Sequence, residues 1–402
     1  MARALRTAST RRLLMSIFGA LAAAAACAAI AVAATGSGPV PRPTSLSAGI
    51  RSALGKGRLH PLSGVSADIT FTDNLIDSTD LTGRTVDPLL QGASGRLWWS
   101  SGGLLRIELQ SDDGDAQIVV DHRSWWISDP VQNVVFEGTL AAGTGSGNAG
   151  TGARSPGLPT IASIKAVLAH VMQRFTITGP TATDVAGQPA YRVSVSPKTS
   201  AGLLGSVQLA WDANRGIPLQ FELYPRGSTT PVLGLQATSI SYGAVPASVF
   251  DIAPPAGAHV VTVGGAGPAA TGVPGRHRAP ITGARRVAAH LPFALAQPAS
   301  LNGMPLRKVQ LGADRTAILL YGHGLGTIAA IEAKASGSAH GSSSLDGLSL
   351  PTHTVAGATA TVLSTPLGTV LRFTKGGVGY TVVGSVTAAG AESAAGELAA
   401  GG

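Results

Sequence analysis

From Val65 onward, apolar and polar residues alternate, and this period of two constrains the fold more than any other feature of the chain. Val65, Ala67, Ile69 and Phe71 share one parity, which predicts a strand with one buried face. Gly95–Trp99, Leu104–Gln110, Ala116–Asp121, Ser124–Ser128 and Val131–Glu137 repeat the pattern. Turn signals such as Ser101-Gly102-Gly103 and Asp112-Asp113-Gly114 separate them, so an antiparallel meander is expected. A second series follows at Phe175–Thr178, Ala190–Ser196, Ser206–Asp212, Ile217–Tyr224 and Val232–Tyr242, with a hairpin turn at Asp212–Gly216. Between the two series lie a Gly/Ser/Pro-rich loop at 141–159 and a helix over Thr160–Arg174, whose Ile161, Ile164, Val167, Leu168 and Val171 have helical spacing. Thr160 is its expected N-cap.

Low aromatic (4%) and charged (12%) content, with 53 glycines and 25 prolines, suits sheets, turns and joints better than a helical bundle. The expected division is a targeting segment at 1–35, a spacer with a short helix at 36–60 (around Leu46–Leu59), a main domain at 61–256, a linker at 257–285 and a second domain at 286–402. Strands of the second domain are expected at Lys308–Leu311, Thr316–Leu320, Thr327–Ala333, Ala358–Leu363, Gly368–Phe373 and Val378–Val383. A Ser/Gly loop at 335–348 and a helix over Ala388–Leu398 complete it.

Arg3, Arg6, Arg11 and Arg12 precede an uncharged run of 22 residues, Leu13–Ala34, and no acid occurs before Asp68. At ~1.5 Å per residue a helix of that length matches a hydrocarbon core of roughly 30 Å. The positive-inside bias places the N-terminus in the cytoplasm and the remainder outside. A single-pass signal anchor in the cell membrane and a secretory signal cleaved near Ala31-Val32-Ala33 both fit, the second leaving a secreted protein. Cys27, the only cysteine, lies inside this segment, so the exported part has no disulfide, thiolate or cysteine metal site. The formal charge of +8 falls to +4 once the four N-terminal arginines are set aside. Compartment and the lack of a basic cluster with interleaved aromatics disfavour nucleic acid. Arg276, Arg278, Arg285 and Arg286 read as a solvated tether.

No constellation for catalysis is present. The nine histidines show no metal-ligand spacing. Asp112, Asp113 and Asp115 read as a solvated turn, because the spacing departs from a calcium loop and lacks its closing glutamate. Gly322–Gly326 lies between strands and reads as a tight turn instead of a phosphate cradle. A non-enzyme without metal or cofactor is expected. All five tryptophans, Trp98, Trp99, Trp125, Trp126 and Trp211, fall in expected strands of the main domain. Adjacent Trp pairs point to opposite faces of a sheet. An ordinary core between sheet and helix explains any one of them, and a concave apolar cavity is the second reading.

Gly95–Trp98, Leu104–Ile107 and Val120–Pro130, together with the closing Phe250–Val260, resemble the LolA/RseB lipoprotein-carrier superfamily in order and spacing. Leu319–Leu325 and Gly379–Val386 resemble the C-terminal domain of RseB/MucB proteins. The resemblance departs at Ser100-Ser101-Gly102, where a basic residue and proline are common, and at Asp121-His122, where Asp-Gly is usual. It implies an α+β fold: a curved antiparallel half-barrel sheet with helices on its concave face, plus a smaller α+β C-terminal domain. It also implies that acyl chains of lipids or lipoproteins bind in the apolar cavity. By strand parity, the cavity candidates are Trp98, Leu105, Ile107, Leu109, Val119, Trp126, Leu209, Trp211, Phe221 and Leu223. The implied role is an RseB-like envelope sensor, with an anti-sigma factor's extracytoplasmic domain and the cytoplasmic membrane as partners. A LolA-like carrier is the alternative within the binding class, and a cell-envelope hydrolase the alternative outside it.

Overall fold

The computed structural model describes residues 39–50, 62–76, 88–110, 114–139, 172–263, 281–335, 344–345 and 348–401. The apolar run Leu13–Ala34, the loop at 141–159, the expected helix up to residue 171, most of the expected Leu46–Leu59 helix and residues 264–280 of the linker lie outside them. Among the described residues no helix is long and apolar enough to cross a membrane.

The main domain is one 12-stranded sheet. Its first half is β1 (Gly64–Asp73), β2 (Ala93–Ser100), β3 (Leu104–Gln110), β4 (Ala116–Asp121), β5 (Ser124–Asp129) and β6 (Val134–Thr139). The second half is β7 (Phe175–Val185), β8 (Gln188–Pro197), β9 (Leu204–Asp212), β10 (Pro218–Pro225) and β11 (Leu233–Tyr242), followed by β12 (His259–Thr262). The order is β12-β6-β5-β4-β3-β2-β1-β11-β10-β9-β8-β7, so two meanders join where β1 pairs with β11. Every pairing is antiparallel except β12 on β6. The sheet is curved, as expected for the α+β half-barrel. Bulges at Asp68/Ile69 and around Leu219 bend it by breaking the regular ladder. Gly95 faces Leu109 where the strands crowd, and a Cβ there would meet the Glu108 carbonyl oxygen at 1.9 Å.

Three boundaries differ from the alternation. β6 begins at Val134, not Val131, because the Gln132 N–H donates to Asp129 Oδ1 at 3.1 Å and Asn133 adopts a left-handed φ of 50°. β7 continues beyond Thr178 through Gly179-Pro180 to Val185. β12 arises inside the expected linker, being short and at the sheet edge, where little alternation can accumulate. The Asp212–Gly216 turn is held by Asp212, which accepts from the N–H groups of Asn214 and Arg215 (2.6 and 2.9 Å) and from the Tyr242 hydroxyl (2.6 Å). Burial first, then this carboxylate, holds the Tyr242 hydroxyl far above its usual range.

Two short helical pieces pack on the sheet. Residues 46–50 bring Leu46 against Tyr191, Val193 and Trp211, and α1 (Pro88–Gln91) buries Leu89 among Ile69, Leu97 and Leu109.

The second domain carries α2 (Ala284–Ala288) and an eight-stranded sheet. Its strands are β13 (Ser300–Leu301), β14 (Met304–Leu311), β15 (Ala317–Tyr321) and β16 (Ile328–Lys334), then β19 (Thr352–Val355), β20 (Ala358–Thr365), β21 (Gly368–Lys375) and β22 (Val378–Gly384). A small hairpin, β17 (Ser344–Leu345) and β18 (Leu348–Ser349), precedes β19. Helix α3 (Ala388–Ala400) starts at Thr387, whose side chain accepts from the Gly390 N–H, and buries Ala391, Ala394, Ala395 and Leu398 against β21 and β22. Small side chains allow that close approach.

The two domains share a core. Leu75, Ile76, Val232 and Leu233 of the first cluster with Leu350 and Leu363 of the second. Phe71, Leu90 and Leu223 border this cluster from one side, Leu367 and Val370 from the other. A buried apolar contact of this kind ties domains together far more firmly than a polar one. Leu363→Asp should place an unpaired charge in it and split thermal unfolding, seen by calorimetry, into two separated transitions; a single transition at the original temperature would show the domains unfold independently of this contact.

Glu332 is fully buried on β16. One carboxylate oxygen accepts from the Ala296 N–H at 3.1 Å, while Oε1 has no partner. Burial pushes its pKa up to about 7 from 4.5, against the lowering effect of that hydrogen bond. A carboxyl raised in the folded state binds more protons there than when unfolded. Its contribution is therefore full below about 4.5 and is lost as pH rises through about 7. Denaturant titrations from pH 4 to 9 should show this decline in the wild type, and Glu332→Gln should flatten it.

Candidate functional site

Register across β2 to β6 assembles one face from aliphatic side chains. Leu97, Ile107, Ile118, Ile127 and Phe136 are successive cross-strand partners. None is more than 8% exposed. A second row runs Trp99, Leu105, Val120, Trp125, and ends over Gly138, where a Cβ would lie 2.8 Å from the Trp125 ring. Leu109 and Ala116 form a third, and Val65, Ala67 and Ile69 of β1 extend the same cluster toward Leu235 and Ala237 of β11.

One residue along each strand, the other face has a different chemistry. Its central row is Trp98, Arg106, Val119, Trp126. The Arg106 guanidinium lies 5.2 Å from the Trp98 ring centroid, bonds Glu108 Oε2 at 2.6 Å and donates to the Val249 carbonyl at 3.1 Å. That last bond holds the segment that crosses from β11 to β12. Its far end is fixed where the Asn133 side chain donates to the Gly257 carbonyl at 3.2 Å and the His259 N–H to the Asn133 carbonyl at 2.8 Å. The closing strap therefore sits on the Trp98 face.

The ten cavity candidates are thus divided. Leu105, Ile107 and Leu109 share the aliphatic face, whereas Trp98, Val119 and Trp126 lie on the strap face. Leu209 and Trp211 join the cluster around Tyr191, Val193 and Leu46. Phe221 pairs with both Leu209 and Leu235, and Leu223 borders the interdomain core. Trp99, Trp125, Leu97, Ile118, Ile127 and Phe136 belong with Ile107, although parity within each strand did not single them out. The missing signal is the register between strands, fixed by turns such as His122-Arg123, where His122 has a φ of 54°.

The described residues hold no group of three His, Cys, Asp or Glu that could bind a metal. What the face offers is a buried, extended aliphatic layer flanked by two indoles. On the strap face, Arg106→Leu removes a charge-assisted bond worth about 1.5–3 kcal/mol. Hydrogen exchange by mass spectrometry should then accelerate over residues 246–255 while β3 stays protected; unchanged exchange there would show that other contacts hold the strap.

No family model matches the chain, and no curated protein is significantly similar to it. Solved structures do align. The chain is similar to MucB in complex with MucA(peri), at 18% identity, over 87% of this chain and 97% of that one, with a TM-score of 0.39. The MucA/MucB complex of Pseudomonas aeruginosa aligns at 18% identity over 87% and 96%, also at 0.39. An uncharacterized conserved protein from Thermus thermophilus aligns at 10% identity over 53% of this chain and 99% of that chain, at 0.32.

Proposed function

We propose that this chain is a non-catalytic, extracytoplasmic binder of lipid acyl chains or lipoprotein, used as an envelope-sensing regulator. The observation that carries the reading is the unbroken row Leu97–Ile107–Ile118–Ile127–Phe136 with its flanking Trp99 and Trp125. Each ligand methylene buried there contributes ~0.8 kcal/mol, set against the apolar groups it displaces from the face.

The sensor reading is favoured over the carrier reading by Phe71. It packs against the aliphatic face and against the interdomain core alike. A ligand that displaces what covers the face alters the packing of Phe71 and, through it, the contact with Leu350 and Leu363. A ligand shifts such an equilibrium only by its differential affinity for the two arrangements. The partner that reads the change is, by the family resemblance of the sequence, the extracytoplasmic domain of an anti-sigma factor.

A brominated fatty acid provides the test, since bromine quenches only nearby indoles. Quenching should be strong in the wild type, persist in Trp98→Phe/Trp126→Phe and fall by at least half in Trp99→Phe/Trp125→Phe. Native mass spectrometry of the purified protein should show co-purified lipid. A ligand-free spectrum with no quenching at saturating fatty acid would sink the proposal.

A further inference from the structure

A cleft whose lining shares no residue with the aliphatic cluster lies at one end of the main domain. The turn after β8 and the turn after β10 stand on either side of this cleft of about 460 Å³, floored by the start of β9. That volume is in the range of small-molecule sites. Lys198 and Arg226 line it together with Ser196, Thr199, Ser200 and Ser206. No carboxylate is in the lining, and among the described residues neither cation forms an ion pair. The walls are fixed by the backbone. The Arg226 N–H donates to the Leu203 carbonyl at 2.7 Å, the Arg226 side chain caps the Ser200 carbonyl, and Gly205 passes so close to Pro225 that a Cβ would lie 2.6 Å from its oxygen.

We infer that this cleft binds a phosphate-type oxyanion. Two cations that form no ion pair among the described residues supply charge and the hydroxyls supply neutral donors, which is the donor set such an anion needs. A lone surface cation would offer neither the second charge nor the walls. The cleft also has a consequence beyond binding, because the loop that forms one wall touches the second domain on its other side. The Leu203 N–H donates to Ser385 Oγ at 2.8 Å, Gly202 would clash with the Leu325 carbonyl oxygen at 2.8 Å if it carried a Cβ, and Ala201 packs on Gly326. An anion drawn between Lys198 and Arg226 therefore tightens the loop that contacts the second domain.

Titration calorimetry of the full chain with inorganic phosphate, and co-sedimentation with phosphatidylglycerol vesicles against phosphatidylcholine vesicles, separate a soluble phosphate from a lipid headgroup. Phosphate binding that weakens roughly tenfold in Lys198→Glu supports the site with a soluble ligand. Phosphatidylglycerol-selective sedimentation lost in the same variant supports it with a headgroup. Arg226→Lys keeps the charge and drops the bond to Ser200, so it should retain most of the binding. Binding by neither probe, or binding indifferent to Lys198→Glu in a variant with a wild-type melting curve, would overturn the inference. Because Lys198 is remote in sequence and cluster from the aliphatic rows, fatty-acid quenching should be unchanged in that variant, which keeps this result independent of the lipid reading.

Discussion

The pairing register of β1 to β6 governs what every other part of the main domain can be. Leu97, Ile107, Ile118, Ile127 and Phe136 fall in one line only because β2 to β6 are aligned residue for residue. A slip of one residue in any strand would carry its aliphatic set to the strap side, and in β3 it would bring Arg106 and Glu108 into the dry one. Carrying that ion pair into an aliphatic core costs desolvation that its mutual attraction does not reliably repay, so the register is specified by penalty as well as by gain. The Trp98–Arg106–Glu108 group thus has a double role. It anchors the strap through Val249, and it marks the face that must stay polar.

The same logic joins the two domains. Leu75, Ile76, Val232 and Leu233 are apolar residues at the ends of β1 and β11, where a free-standing domain would place polar turns. They are covered by Leu350 and Leu363, and Phe71 makes this contact continuous with the aliphatic face. The proposed binding on the face and the docking of the second domain therefore share one side chain, Phe71. The loop at Ala201–Leu203 makes a separate, polar contact with the second domain. Two routes, one apolar and one polar, meet at the domain boundary.

Much of this architecture is legible in the sequence because alternation is a local property. Most of the longer strands and the last helix fall close to their expected bounds, although β14 starts at Met304 instead of Lys308 and β13 and β17 to β19 lie outside the expected set; the resemblance to the LolA/RseB superfamily anticipates the curved sheet. What alternation leaves open is which parity of one strand shares a face with which parity of the next. Parity groups Leu105, Ile107 and Leu109 within β3, yet it does not say whether Trp98 or Trp99 of β2 joins them. That depends on the turns, where residues such as His122 and Asn133 adopt left-handed backbone. Four-residue β12 offers too few positions to show a period, and its parallel pairing is a matter of chain path. The cleft of Lys198 and Arg226 is invisible for a related reason, since it forms only when two turns far apart in sequence are brought side by side.

β12 has a further effect on the second domain. By fastening the chain to the edge of β6, it fixes the point from which the connection to Ile281 departs. Docking of the two domains is then an encounter between groups on one tethered chain. For short connections the effective concentration in such an encounter is about millimolar. A weak interface suffices to keep the domains together under those conditions. A freely diffusing competitor for Leu350 and Leu363 starts at a large disadvantage, whereas one tethered to the same protein meets them on nearly equal terms.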